Sequence, residues 1–185
     1  MPMQNLLKTV VCSRRAAYGL GALICAGLLG FALYLQYYEF QDPCPLCILQ
    51  RTAFIALLIV FVAAALHGPG RTATYVYCSL LVLIALTGGS VAVRQVWLQH
   101  LPADRIPACG PGIEYMLDRF PLTLVLQKIL RGSGECADVS WRFLGLSIAE
   151  WSLIWFVMLA ALALSTAFCV AWEVRSDQAR ISGVN

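Results

Sequence analysis

The sequence predicts an all-α membrane protein: a bundle of four transmembrane helices with two loops on one side, the second loop lying partly at the membrane interface. Three observations point there. The 185 residues are 60% hydrophobic and only 12% charged, whereas soluble domains are nearer half apolar and a quarter charged. Four apolar stretches recur, each of about the 20 residues needed to cross a hydrocarbon core. Lys and Arg gather at alternate connections between those stretches.

The first span covers about 16–36 and follows Lys8, Arg14 and Arg15. A basic flank also opens a signal peptide, but this apolar stretch is too long for one. No small-residue cleavage site follows, because the chain continues Gln36-Tyr37-Tyr38-Glu39-Phe40. A retained anchor is expected. The second span covers about 47–66 and stops at His67-Gly68-Pro69-Gly70; the third covers about 73–93 and the fourth about 148–172. In lipid a helix satisfies all its backbone groups internally, so each span is read as helical. No repeat or low-complexity tract divides the chain, and residues 1–185 form a single integral membrane domain.

Orientation follows from Lys and Arg in the short flanks. The N-terminus carries Lys8, Arg14 and Arg15, the turn after the second span carries Arg71, and the tail carries Arg175 and Arg180. The segment 37–45 has no cation and carries Glu39 and Asp42. Both termini and the Arg71 turn are therefore expected in the cytoplasm, and the loops at about 37–46 and 94–147 on the oxidising side. Tyr37, Tyr38, Trp97, Trp151 and Trp172 fall at the headgroup levels this topology requires. A net charge of +3 without a basic run gives no sign of nucleic acid. No charged residue sits mid-span, which argues against a transporter or ion path.

Eight cysteines remain to be explained. Cys12 is cytoplasmic on this topology. Cys25, Cys78 and Cys169 lie within spans, where a thiol packs as a small hydrophobe. Cys44, Cys47, Cys109 and Cys136 face the oxidising side, where four thiols either pair or bind a metal. Cys44 and Cys47 form a Cys-x-x-Cys, a pair able to open and close a disulfide with little backbone movement. Pro43 and Pro45 stiffen its approach, and Pro45 suits the first position of the next helix. Cys44 then sits near the N-cap and Cys47 in the first turn, where unpaired N–H groups and the positive helix end favour a thiolate. Arg51 follows Cys47 by four residues and shares its face. A guanidinium there would stabilise a charged sulfur or donate to a carbonyl oxygen of a bound carrier; the plainer alternative is a snorkelling cation.

Cys109 and Cys136 lie in the long loop, followed by Gly110-Pro111-Gly112 and preceded by Gly132-Ser133-Gly134 respectively. Glycine on these flanks implies mobile segments. A disulfide joining the two would be exposed and readily attacked; a bond that merely closes the loop is the plainer alternative. No metal is expected, because there is no second Cys-x-x-Cys and no His lies close in sequence to either pair. Residues 113–130 are apolar but too broken to span, with Met116, Leu117, Phe120, Leu124, Leu126, Ile129 and Leu130 set among Glu114, Asp118, Arg119 and Lys128. Pro121 interrupts any single helix. Part of this stretch is expected on the membrane surface, tethering the mobile cysteines near the first pair; ordinary loop packing is the competing possibility.

Pro43-Cys44-Pro45-Leu46-Cys47 with Arg51, four spans and a second loop with two cysteines resemble the DsbB family of bacterial inner-membrane disulfide bond formation proteins. Gly132-Ser133-Gly134-Glu135-Cys136-Ala137 and Trp141-Arg142-Phe143-Leu144-Gly145-Leu146 resemble the family's run before its last helix. The resemblance implies reoxidation of a periplasmic thioredoxin-like dithiol oxidase, DsbA, with electrons passed to ubiquinone or menaquinone. That relay is the general means of keeping a bacterial periplasm oxidising. It further implies redox disulfides Cys44–Cys47 and Cys109–Cys136, with both loops periplasmic. Cys47 would be the thiolate facing the quinone, Arg51 the quinone-interacting arginine, and Cys109 the cysteine attacked by the partner. His100 falls near a family histidine placed close to the quinone, although the stretch from His100 to Cys109 is shorter than in well-known members.

Two other functions compete. A quinone-linked oxidoreductase of the vitamin K epoxide reductase type also combines four helices with a Cys-x-x-Cys, but near the end of its bundle. A structural membrane protein with ordinary disulfides would consume no quinone with thiol.

Overall fold

From Arg14 the chain runs as helix α1 to Tyr38, and helices α2 (Pro45–His67) and α3 (Arg71–Gln99) follow. The second loop contains helix α4 (Leu122–Arg131), the single turn α5 (Gly134–Ala137) and a hairpin of β1 (Arg142–Phe143) and β2 (Leu146–Ser147), before α6 (Ile148–Ser182). The structure, a computed structural model, describes residues 13–40, 43–102, 119–131, 134–139 and 141–182. Cys12 and Cys109 lie outside the described residues. Four helices among those described are long and apolar enough to cross a membrane: α1, α2, α3 and α6. The predicted fold class, an all-α membrane protein built on four spans, therefore holds. Each helix runs beyond the apolar stretch that announced it, and α3 continues to Gln99.

The chain divides into two compact units, and each long helix contributes a segment to both. The first takes the chain up to Leu28, then Ile55–Leu86 and everything from Val157. At its centre the wholly buried Tyr18 has Phe61 and Tyr77 rings at 6.4 and 6.5 Å and accepts a hydrogen bond from Thr166 Oγ1. Gly68 ends α2 with a φ of +59°, the left-handed conformation glycine adopts freely, and its N–H returns to the Ala64 carbonyl. Arg14 donates to the Pro69 carbonyl at 3.2 Å and pairs with Glu173 at 2.8 Å. Cys25 and Cys78 are buried free thiols, and Cys78 Sγ donates to the Ala163 carbonyl. Cys169 departs from expectation, because it is disulfide-bonded instead of packed as a thiol.

The second unit comprises Leu29–Phe54 and Thr87–Phe156. Between apolar helices in lipid, association comes from close packing and not from exclusion of water. Phe54 and Phe156 accordingly stack at 4.2 Å. Gly88 is what permits the fit, since a Cβ there would meet the Phe156 ring and the Ala53 methyl. The hairpin turns through Leu144 and Gly145 with φ of 52° and 82°. Two successive left-handed residues suit the twist of a two-residue hairpin. Ser147 and Glu150 then start α6 with a reciprocal cap: the Ser147 N–H donates to Glu150 Oε2 at 2.7 Å, and the Glu150 N–H donates to Ser147 Oγ at 3.3 Å. Ser147 Oγ also donates to Gln99 Oε1, tying the loop's return to the end of α3.

Candidate active site: a buried cysteine cluster

Local chain geometry builds the first half of the site. Cys44 immediately precedes α2, and Pro45 occupies the first helical position, where its missing N–H costs nothing. The Ile48 N–H closes the first turn onto the Cys44 carbonyl at 3.1 Å. The Cys47 N–H donates to Cys44 Sγ at 3.4 Å, so a sulfur fills the N-cap acceptor role that a hydroxyl or carboxylate oxygen usually takes. Cys44 Sγ in turn lies 2.9 Å from Cys47 Sγ and donates to it. Cys44 is 8% exposed and Cys47 half-buried.

Tertiary packing supplies the rest. Cys136, wholly buried on α5, is hydrogen-bonded to Cys44 and clusters with it, Leu46 and Leu98. Val91, Leu101 and Ile129 pack around them. Ile129 comes from α4, which starts directly after Pro121: the Pro121 carbonyl accepts the N–H groups of Leu124 and Val125. Ile129 of α4 and Cys136 of α5 thus lie against the first cysteine pair. The Cys136 contact first, then Cys47 and burial, push the Cys44 thiol above its ordinary range.

Two glutamines complete the cluster. Gln95 of α3 is 4% exposed and Gln50 of α2 is 3% exposed. Gln50 Nε2 donates to Gln95 Oε1 at 2.7 Å, which turns the Gln95 amide nitrogen toward the sulfurs. Gln95 Nε2 donates to Cys47 Sγ at 3.3 Å and to Cys44 Sγ at 3.4 Å. Sequence reading missed both residues. Their signal was an uncharged amide beside an arginine in each helix, Gln50 before Arg51 and Gln95 after Arg94, and Gln95 was obscured because its apolar span had ended at Val93.

Arg51 is half-buried and directed to α1, where it donates to Gln36 Oε1 and, at 3.1 Å, to the Ala32 carbonyl. It therefore does not supply the hydrogen bonds of Cys47 among the described residues; Gln95 does. His100 follows the end of α3, is exposed, and its Nδ1 bonds the Val96 carbonyl at 2.8 Å. No hydrogen bond joins it to the cysteines among the described residues.

Cys44 Sγ is in hydrogen-bond reach of both Cys47 and Cys136, and an amide donor faces Cys44 and Cys47. Such a cluster is equipped for thiol–disulfide exchange, which needs a thiolate and an accessible sulfur. The DsbB family profile, described as Disulfide bond formation protein DsbB, matches residues 14–166. Disulfide bond formation protein B of Hahella chejuensis is 54% identical over 145 residues, covering 78% of this chain and 88% of that protein. The Azoarcus protein of the same name is 54% identical over 144 residues, covering 78% and 86%. That of Aromatoleum aromaticum is 48% identical over 159 residues, covering 85% and 95%. The residues matched by the family profile run from the first helix into the last and span the positions of Cys44, Cys47 and Cys136. The chain belongs to the DsbB family, as a multi-pass membrane oxidoreductase of disulfide bond formation.

Proposed function

We propose that the protein is a thiol oxidase of the bacterial inner membrane that reoxidises a DsbA-like periplasmic dithiol oxidase and passes the electrons to ubiquinone or menaquinone. The observation that carries this reading is the contact of Cys136 with Cys44 beside the Cys44–Cys47 pair. A chain that only stapled its loops would have no use for a third sulfur against a dithiol. A periplasmic side for the cysteines is supported by the contacts of the first unit, where the flanks expected in the cytoplasm meet. There Arg14 holds the start of α1 to the α2–α3 turn and to Glu173, so the segments carrying the topogenic cations lie together.

A partner thiolate attacks Cys109 of a Cys109–Cys136 disulfide, forming a mixed disulfide, and Cys136 leaves as a thiolate. The partner's second thiolate closes onto its own mixed sulfur, releasing Cys109 and an oxidised partner. Cys136 then attacks Cys44 of a Cys44–Cys47 disulfide, and Cys47 departs with the electron pair. Return of Cys109 onto Cys136 displaces Cys44, so the second pair is oxidised again and the first is a dithiol. Contact of Cys136 with Cys44 favours that sulfur as the one attacked.

Arg51 fits a quinone site chemically. A guanidinium carries five N–H donors, and its bonds to Gln36 and Ala32 leave others for a carbonyl oxygen. Arg51, the half-buried Cys47 and, more remotely, His100 would hold the quinone, which supplies an acceptor for two electrons and two protons.

The test is quinone reduction by the full-length protein in nanodiscs, followed by absorbance with a reduced DsbA-like partner. Cys47→Ala should abolish it. Cys109→Ala should block oxidation of the partner while a small dithiol still drives quinone reduction. Full quinone-dependent turnover by Cys47→Ala would refute the reading.

A further inference from the structure

We infer that Gln95 is a positioning residue for the Cys47 sulfur anion, its amide N–H groups aimed by Gln50 to receive the thiolate that leaves when the Cys44–Cys47 bond opens. The inference deepens the exchange reading above and rests on it.

The geometry is specific. A primary amide nitrogen has two N–H donors, and Gln95 Nε2 reaches one sulfur with each, at 3.3 and 3.4 Å. Its oxygen accepts from Gln50 Nε2 at 2.7 Å and, more distantly, from the Cys47 thiol at 3.7 Å, so turning the amide round would break the buried bond to Gln50 that holds its nitrogen toward the sulfurs. Both glutamines are almost fully buried, and water does not compete for these donors. Burying a neutral amide that is fully hydrogen-bonded costs far less than burying a cation. Hydrogen bonds from such a donor strengthen when the acceptor becomes charged. Donors already in place as negative charge develops need no reorganisation. Arg51, the cation the sequence suggested for this task, is instead engaged by α1. The titratable groups facing Cys47 among the described residues are the thiols of Cys44 and Cys136.

The experiment uses reduced full-length protein in nanodiscs, with neither quinone nor partner present. Iodoacetamide reaction at Cys47 is followed by peptide mass spectrometry across a pH series. Gln95→Glu keeps the shape and the acceptor for Gln50 but replaces the N–H donors with oxygen and adds a carboxylate beside Cys47, so the neutral variant Gln50→Leu must move the profile in the same direction for the inference to stand. Gln95→Glu should slow Cys47 alkylation at neutral pH about tenfold, the weight of one hydrogen bond to a charged group, with the loss regained at higher pH. Gln50→Leu leaves Gln95 in place but unlocked and should slow the reaction about threefold. An unchanged pH profile in Gln95→Glu with helix content retained overturns the inference, and so does slowing by the same factor at every pH, the mark of a merely structural residue. Should Gln95→Glu lose helix content, Gln50→Leu decides: a profile moved to higher pH supports the inference and an unmoved one overturns it. Because no quinone is present, these outcomes are independent of which electron acceptor the protein uses.

Discussion

The Cys136 thiol on α5 is hydrogen-bonded to Cys44, the residue whose own sulfur caps α2. Cys44 is thus addressed from two directions: by the Cys47 N–H of its own helix start, and by a sulfur delivered from the far loop. On the proposed exchange between the loops, Cys44 is the sulfur that both neighbours already contact.

Removal of Cys47 should trap that relationship. In Cys47→Ser, oxidation with glutathione disulfide should give a Cys44–Cys136 bond, seen as one cross-linked peptide by mass spectrometry under non-reducing conditions. Recovery of Cys44 and Cys136 only as separate glutathionylated peptides would show that the contact is not a reactive one.

The Cys44 thiol is held up by Cys136 first and by Cys47 and burial after it. A group so raised stays protonated through neutral pH and reacts only as pH climbs past the ordinary thiol value of about 8.5. In Cys136→Ala the largest contribution is gone, and the midpoint for Cys44 alkylation should fall. A midpoint that stays put or rises contradicts this account.

Arg51→Ala should raise the apparent quinone KM about tenfold with a smaller change in kcat, as expected for loss of a charge-assisted hydrogen bond to the bound ring. An unchanged KM would remove Arg51 from the quinone site. Its bonds to Gln36 and Ala32 would then stand as its role.

Two glycines should respond in opposite directions. Gly88→Ala forces a methyl against the Phe156 ring and Ala53 and should destabilise by about 1–3 kcal/mol, the usual effect of overpacking. Gly27, on α1, has nothing within 4 Å of where a Cβ would stand. There alanine should stabilise the helix by about 0.5–1 kcal/mol. Thermal unfolding in one detergent, both variants beside the parent, reads the sign of each.

Ser147→Ala removes half of the cap on α6 and the bond to Gln99, and should cost about 1–2 kcal/mol in the same assay. Wild-type stability would mean that the remaining bond from the residue 147 N–H to Glu150, together with β1–β2, is enough to set the helix start.

Much of this protein is local, and local features can be read from the chain. The four spans follow from uninterrupted apolar length. The Cys44 cap follows from Pro45 and the spacing to Cys47, because both partners lie within a single helical turn. Two properties were invisible there. α2 and α3 are apolar around most of their circumference, so their sequences carry no stripe to show which side faces a neighbour. Rotation about each axis is settled only when the helices pack, and that rotation turns Arg51 to α1 and Gln50 toward Gln95. Spacing likewise assigns Cys136 no partner, since its contact with Cys44 comes from tertiary packing that also sets Ile129 of α4 against the cluster. One chain pattern names the sulfurs; packing between helices chooses their neighbours.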